Sequence, residues 1–248
     1  MALIDKLTAI ADAIRGKTGK TDEMTLDQMV TEIAGIQTGG GGDSEELVAL
    51  FNKTLTTIPN SLKELEAIPD RALYMCTKLE EIDFPNAVTV GENAFGTIRN
   101  VKMTYKRVNL PKVKTVGSSA FSTYNDDAEF DVYLPEATTI SKSFTMGWGI
   151  QYVILPKIAN IPYQSFHECK DAKLILPQSS IVTLANSAYF PNTFAFYVPK
   201  NMQEQYAQET NWSVIAAEGK LYAIEDSEDV LAKLSEVGYE YTPTTGGE

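Results

Sequence analysis

Eight side chains in this sequence have the types and spacing of a recognition surface: Asp83, Arg107, Tyr133, Tyr152, Ile154, Lys173, Ile175 and Tyr197. Each lies two or four residues before a proline that ends a strand-like apolar run, and Glu81, Asn109, Asp131 and Ala195 share those positions. In a strand, such residues point to one face. If the strands stack, they form two columns with about 4.8 Å between neighbours. Tyr and Arg dominate binding hot spots because they bury area while keeping a polar handle, and aromatic faces also stack on sugar rings. Strand-rich surfaces carry Tyr and Ile for their β preference as well. The columns therefore suit a ligand-binding face or a passive one.

Other constellations carry less chemistry. The single histidine, His167, has only Cys169 near it among ligand types, too sparse for a metal site or a nucleophile–base pair. It reads as a half-exposed turn residue. Asn125, Asp126, Asp127, Glu129 and Asp131 could offer oxygens to Ca²⁺, but an EF-hand's spacing and turn glycine are missing, and a solvated loop accounts for them equally well. The run RGKTGKT resembles a phosphate loop. Ile14 stands where that loop needs its first glycine, and a helical pattern rather than a strand precedes it. Glycoside cleavage needs two carboxylates about 5–9 Å apart in a pocket, and nothing marks such a pair among Glu81, Asp83 and Asp131. The reading is a non-enzymatic protein with no catalytic residue, metal or cofactor.

A repeat must position the outward columns. Pro85, Pro111, Pro135, Pro156, Pro177 and Pro199 recur every 21 to 26 residues. One and three residues before them stand Phe84/Ile82, Leu110/Val108, Leu134/Val132, Leu155/Val153, Leu176/Leu174 and Val198/Phe196, all apolar and hence inward. A second apolar pair follows four of the prolines (Val88/Val90, Val113/Val116, Ala137/Ile140, Ile158/Ile161) and predicts another short strand or extended turn. Ala94-Phe95, Ala120-Phe121, Ser143-Phe144 and Ser165-Phe166 then carry a phenylalanine inward, on a short helical or 3₁₀ segment. A fixed period of this size marks a solenoid whose coils bury their apolar sides against their neighbours. The expected fold is α+β, about six coils with helical caps, the phenylalanines lined up in a file. Cys76 and Cys169 each stand three residues after an inward residue, Leu73 and Phe166. Four coils at about 4.8 Å separate them by roughly 20 Å, beyond disulfide reach, and both read as core residues.

The flanks differ in kind. In residues 1–36, Leu3, Leu7, Ile10, Ala11 and Ile14 fall at helical spacing, and Thr25-Leu26-Asp27-Gln28 fits a capping box ahead of Met29, Ile33 and Ile36. This predicts a helical hairpin too small for a core of its own, with an apolar face for another copy or a partner. Residues 37–42 form a glycine-rich tether. Residues 43–225 hold the solenoid and its caps, including a helix near 45–53 over the first coil and residues 201–212 closing the last. Residues 226–248 comprise a helix near 227–237, with Val230, Leu231 and Leu234 on one side, assigned to the same cap, and a disordered tail.

Net charge is −12, with a net −6 in residues 218–248 alone. An acidic surface opposes nucleic acid and anionic membranes, which need basic groups. No apolar stretch approaches the ~18–20 residues that span a bilayer. The first twenty residues lack the basic and uninterrupted apolar regions of a secretory signal. Neither nucleic acid nor membrane is an expected partner.

The segment IPDRALYMCTKLEEIDFPNAVTVGENAF resembles the BspA-type leucine-rich repeat, over about residues 55–215, and VPKNMQEQYAQETNW resembles that family's closing cap. The resemblance implies a leucine-rich-repeat solenoid and surface binding of the kind found on adhesins. LTAIADAIRGKTGKTDEMTLDQMVTEIAGI resembles an N-terminal segment of tail and baseplate-associated proteins of phages and prophages of Gram-positive bacteria. It implies a virion tail protein, held in the bacterial cytoplasm before assembly. Such a protein would attach through residues 1–36 to a tail or baseplate protein or to itself, and bind a host-surface protein or glycan by its repeat face. The alternative is a secreted or cell-surface adhesin that binds host protein or glycan.

Overall fold

A computed structural model describes residues 12, 14–15, 55–58, 60–97, 104–124, 129–185, 190–191 and 193–243. The expected hairpin, tether and first-coil helix lie outside the described residues apart from Asp12, Ile14 and Arg15, which are helical. Ile14, one of the stripe expected to meet another molecule, is fully buried in the chain's own main apolar cluster.

The chain coils into a parallel β-solenoid of about six turns. Its front face is built from the strands that precede the prolines and one further strand, Leu221–Ala223, in two hydrogen-bonded sheets. Glu81–Asp83 pairs with Arg107–Asn109. Phe130–Tyr133, Ile150–Ile154, Lys173–Ile175, Ala195–Val198 and Leu221–Ala223 form a five-stranded parallel sheet in that order. The register is the one the alternation demands. Val132, Val153, Leu174 and Phe196 stand side by side facing inward, each fully buried. The second apolar pairs form a back sheet of two-residue strands, with Ile68, Val90, Val116 and Ile140 aligned inward and Thr89, Thr115 and Thr139 outward. Between the sheets runs the phenylalanine file. Ring centroids of Phe95, Phe121, Phe144 and Phe166 follow one another at 5.3, 5.5 and 5.7 Å, within the range for favourable aromatic pairs.

The segment that carries each phenylalanine is a tight turn, running into a two-residue strand at Phe166–His167, and not the expected helix or 3₁₀ helix. Asn93, Ser119, Ser143 and Gln164 adopt φ between 51° and 57° just before it, a left-handed conformation that a right-handed helix cannot contain. The backbone bonds along the stack instead: Leu73, Phe95 and Phe121 donate their N–H groups to the carbonyls of Ala94, Ala120 and Phe144 in the next coil. Successive coils approach closely enough that a Cβ at Gly117 would lie 2.7 Å from the backbone of Gly91 and Glu92.

Two helices, Gln203–Gln208 and Trp212–Ala217, close the last coil. Trp212 and Tyr206 are fully buried, and Trp212 packs 5.2 Å from Phe196 at the end of the core. The indole N–H donates to the Val182 carbonyl at 2.6 Å and the Tyr206 hydroxyl donates to that of Ser180 at 3.2 Å, so the exposed end of the back sheet is satisfied. The helix Glu228–Glu236 does not join this cap. Its apolar side packs on the outer surface of the front sheet, in a cluster separate from the main core.

Candidate binding face

The register brings the predicted residues into the two expected columns. One column runs Glu81, Arg107, then Tyr152, Lys173 and Ala195; the other runs Asp83, Asn109, then Tyr133, Ile154, Ile175, Tyr197 and Tyr222. Their surroundings divide the face in two. In the later coils Ile154 and Ile175 are fully buried and Tyr197 is 8% exposed, because Val230 and Leu234 of the C-terminal helix, together with Ile224, lie on them. Tyr133 and Tyr152 are half-buried at the border of this cluster. Ile154, Ile175 and Tyr197, expected on the outward face, thus point outward from the sheet but lie beneath the chain's own helix. An aliphatic column on a solvent-facing sheet attracts any apolar surface within reach, and the chain supplies one of its own.

Polar contacts fix the helix at two points. Asp229 accepts hydrogen bonds from the Tyr152 hydroxyl at 2.8 Å and from Lys173. Lys233 pairs with Asp131 and with Glu236, each at 2.7 Å. Lys173 and Lys233 also stand over the Tyr152 ring, each 5.2 Å from its centre, in cation–π range. Hydrogen bonds from Lys173 and Ser227 hold the Asp229 carboxyl well below the usual carboxylate range. Burial pulls Lys173 down, but its bonds to Asp229 and Tyr152 outweigh that and leave it raised. Burial pushes the Tyr152 hydroxyl up, and its bond to Asp229 adds to this. Asp229, Lys233 and the apolar residues between them are functional neighbours of the face that sequence reading placed elsewhere. The available signal was their charge order, opposite to that of Lys173 and Asp131 across the gap.

Among the described residues, no helix covers the earlier coils. Arg107 is 71% exposed and pairs with Glu81 at 3.3 Å. Asp83 is held by Lys63 and by the Asn109 amide, which donates to it at 2.7 Å. Burial opposes ionisation of Asp83, yet those two bonds bring its carboxyl below its ordinary value. Where the covering helix ends, a cavity of about 360 Å³ opens between helix and sheet, lined by Lys106, Arg107, Asn109, Asp131, Tyr133 and Glu236.

The family model for the BspA type leucine rich repeat region matches residues 49–173 and 129–209, in six copies. The chain belongs to the BspA-type leucine-rich repeat family. No curated protein matches it. Repeats of this family suggest a protein-binding or adhesin-like role, and such a solenoid is typically a non-enzymatic scaffold. In this BspA-type chain the remaining chemistry-bearing residues are dispersed. Cys76 and Cys169 are free and buried; burial pushes both thiols up, Cys169 to about 12. His167 is half-buried on a two-residue strand beside Met146. Asp131 serves the helix through Lys233, while Asn125, Asp126 and Asp127 of the acidic run lie outside the described residues, as does most of RGKTGKT. No group of three or more His, Cys, Asp or Glu side chains able to hold a metal occurs among the described residues.

Proposed function

We propose that this protein is a non-enzymatic recognition scaffold that holds a host-surface ligand against the open part of its front sheet. The observation that carries this reading is the change of character along one face. The later coils are apolar and covered by the chain's own helix, while Glu81, Asp83, Arg107 and Asn109 on the earlier coils carry mixed charge and have no covering helix among the described residues. Uncovered arginine within a polar patch suits a partner that is met and released, because its hydrogen bonds are made without burying a large apolar surface. The resemblance of the N-terminal segment supports the finer reading: residues 1–36 attach the protein to a phage or prophage tail or baseplate, and the glycine-rich tether lets several repeat faces search a cell surface together. Weak contacts then add through effective concentration.

Two measurements test this. The full chain, fluorescently labelled, is incubated with intact Gram-positive cells, where saturable binding is expected and Arg107→Glu is expected to reduce it by at least about tenfold. Purified tail particles from an induced lysogen are probed with an antibody to the chain. Labelling at the tail supports the virion reading; labelling of the producing cell's outer surface instead supports a cell-surface adhesin. Binding unchanged by Arg107→Glu removes the open half of the face from consideration.

A further inference from the structure

We propose that the cavity at the end of the covering helix is a subsite for one neutral saccharide residue; this rests on the scaffold reading above and names its ligand. The volume of about 360 Å³ is at the lower end of the range for small-molecule pockets, enough for one compact ligand. Every ionic side chain lining it already has a partner. Lys106 pairs with Glu80 at 3.1 Å, Arg107 with Glu81 at 3.3 Å, and Asp131 and Glu236 both with Lys233 at 2.7 Å. A charged ligand would compete with these pairs for the same side chains, though the exposed ones are worth little individually; a neutral ligand leaves them all intact.

Apart from Val108, Val237 and the Tyr133 ring the lining is polar, which disfavours an apolar ligand. Guanidinium, carboxylate and primary amide groups present adjacent donors or acceptors in one plane. Asn109 spends one N–H on Asp83, leaving a second N–H and its carbonyl oxygen. Vicinal hydroxyl groups both donate and accept, so they can bridge such groups without displacing the ion pairs. Tyr133, half-buried and part of the lining, is the one aromatic side chain there on which the C–H face of a pyranose can pack. Fixed donors, fixed acceptors and one aromatic surface are what a sugar requires.

The test uses saturation-transfer difference NMR on the purified full chain, with glucose, galactose and N-acetylglucosamine in separate arms. At least one should receive saturation at its ring protons. Arg107→Leu, at a mostly exposed position, and Asn109→Leu should each weaken that sugar's affinity about tenfold. Lys157→Ala, away from the cavity, should leave it unchanged. No transfer to any of the three sugars, or transfer that survives both leucine substitutions, overturns the proposal. A protein that binds cells but gives no transfer loses the saccharide subsite and keeps the scaffold reading; transfer without cell binding does the reverse.

Discussion

Leu234→Ala should release the C-terminal helix from the front sheet while leaving the solenoid intact. Leu234 is 1% exposed and belongs to the outer apolar cluster with Ile154, Ile175, Tyr197, Ile224 and Val230. Truncating a buried leucine to alanine costs roughly 2–5 kcal/mol, depending on how far the site can collapse. This cluster is one layer deep on the outside of a sheet, so its surroundings can relax, and the lower part of that range applies, about 2–3 kcal/mol. At about 1.4 kcal/mol per tenfold, local opening of the helix becomes about 30- to 150-fold more frequent.

Hydrogen exchange followed by mass spectrometry reads this directly, because exchange through local opening scales with the open population. Peptides from residues 228–243 should exchange faster by that factor, and those spanning Tyr152–Ile154 and Lys173–Ile175 should gain a smaller increase as their cover is lifted. Peptides that carry Phe95 and Phe121 should not change, since their file belongs to the other cluster. Leu155→Ala is the comparison: Leu155 is fully buried in the main core, and its truncation should accelerate exchange across the coils. If Leu234→Ala leaves residues 228–243 at the native rate, or speeds every peptide alike, the helix is not an independent cover and the division of the face fails.

Two further outcomes follow from the same geometry. Asp229 has its pKa lowered on folding, so the docking it contributes is complete above the ordinary carboxylate value of about 4 and is lost as pH falls through the lower folded value. Near-ultraviolet tyrosine signal should therefore decline below about pH 4, and Asp229→Asn should flatten that decline; the carboxylate is 51% exposed, so the effect is expected to be no more than about 1 kcal/mol. Gly117→Ala must push apart backbone that a new Cβ would meet at 2.7 Å, which costs roughly 1–3 kcal/mol. Gly96→Ala, whose nearest neighbour would be the Ser119 carbonyl oxygen at 3.3 Å, should lower the melting temperature by less, and equal losses would contradict the close stacking at Gly117.

The coils were legible because each inward residue reports its own environment. Ile82, Val132 and Leu174 are apolar for a reason contained within a few residues, the alternation of a strand, and the proline spacing says which strands are neighbours. The left-handed turns were not legible. Asn93 favours that conformation, but Ser119, Ser143 and Gln164 adopt it too, and at Ser119 an N–H donated to the Ser143 carbonyl of the next coil helps hold it, which local propensity does not record. The covering helix failed for a different reason. Its stripe of Val230 and Leu234 and the outward pair Ile154 and Ile175 were both visible as apolar surfaces, but 55 to 80 residues separate them, and hydrophobicity has no direction. Two unexplained apolar faces in one chain were the clue that they belong together.

That pairing also bears on where a ligand can be held. Every coil of a solenoid offers the same two outward positions, so what fills them is not required by the fold. Here the first described coils fill them with Glu81, Asp83, Arg107 and Asn109, and the later ones with Ile154, Ile175 and Tyr197, which would be a large exposed apolar strip if nothing lay on it. The strip is matched by a helix whose apolar residues sit over it and whose Asp229 and Lys233 meet charges of opposite sign at its border. A surface so fully answered from within the chain has little left to offer a partner. Among the described residues no helix lies on the polar coils, whose charges pair with one another instead, and the cavity forms where the helix ends and the five-stranded sheet gives way to the two-stranded one. A ligand seated at that step touches both the rigid sheet and the end of the helix, so occupancy should also reduce opening of the helix, and sugar-induced protection of residues 228–243 from exchange would link the two.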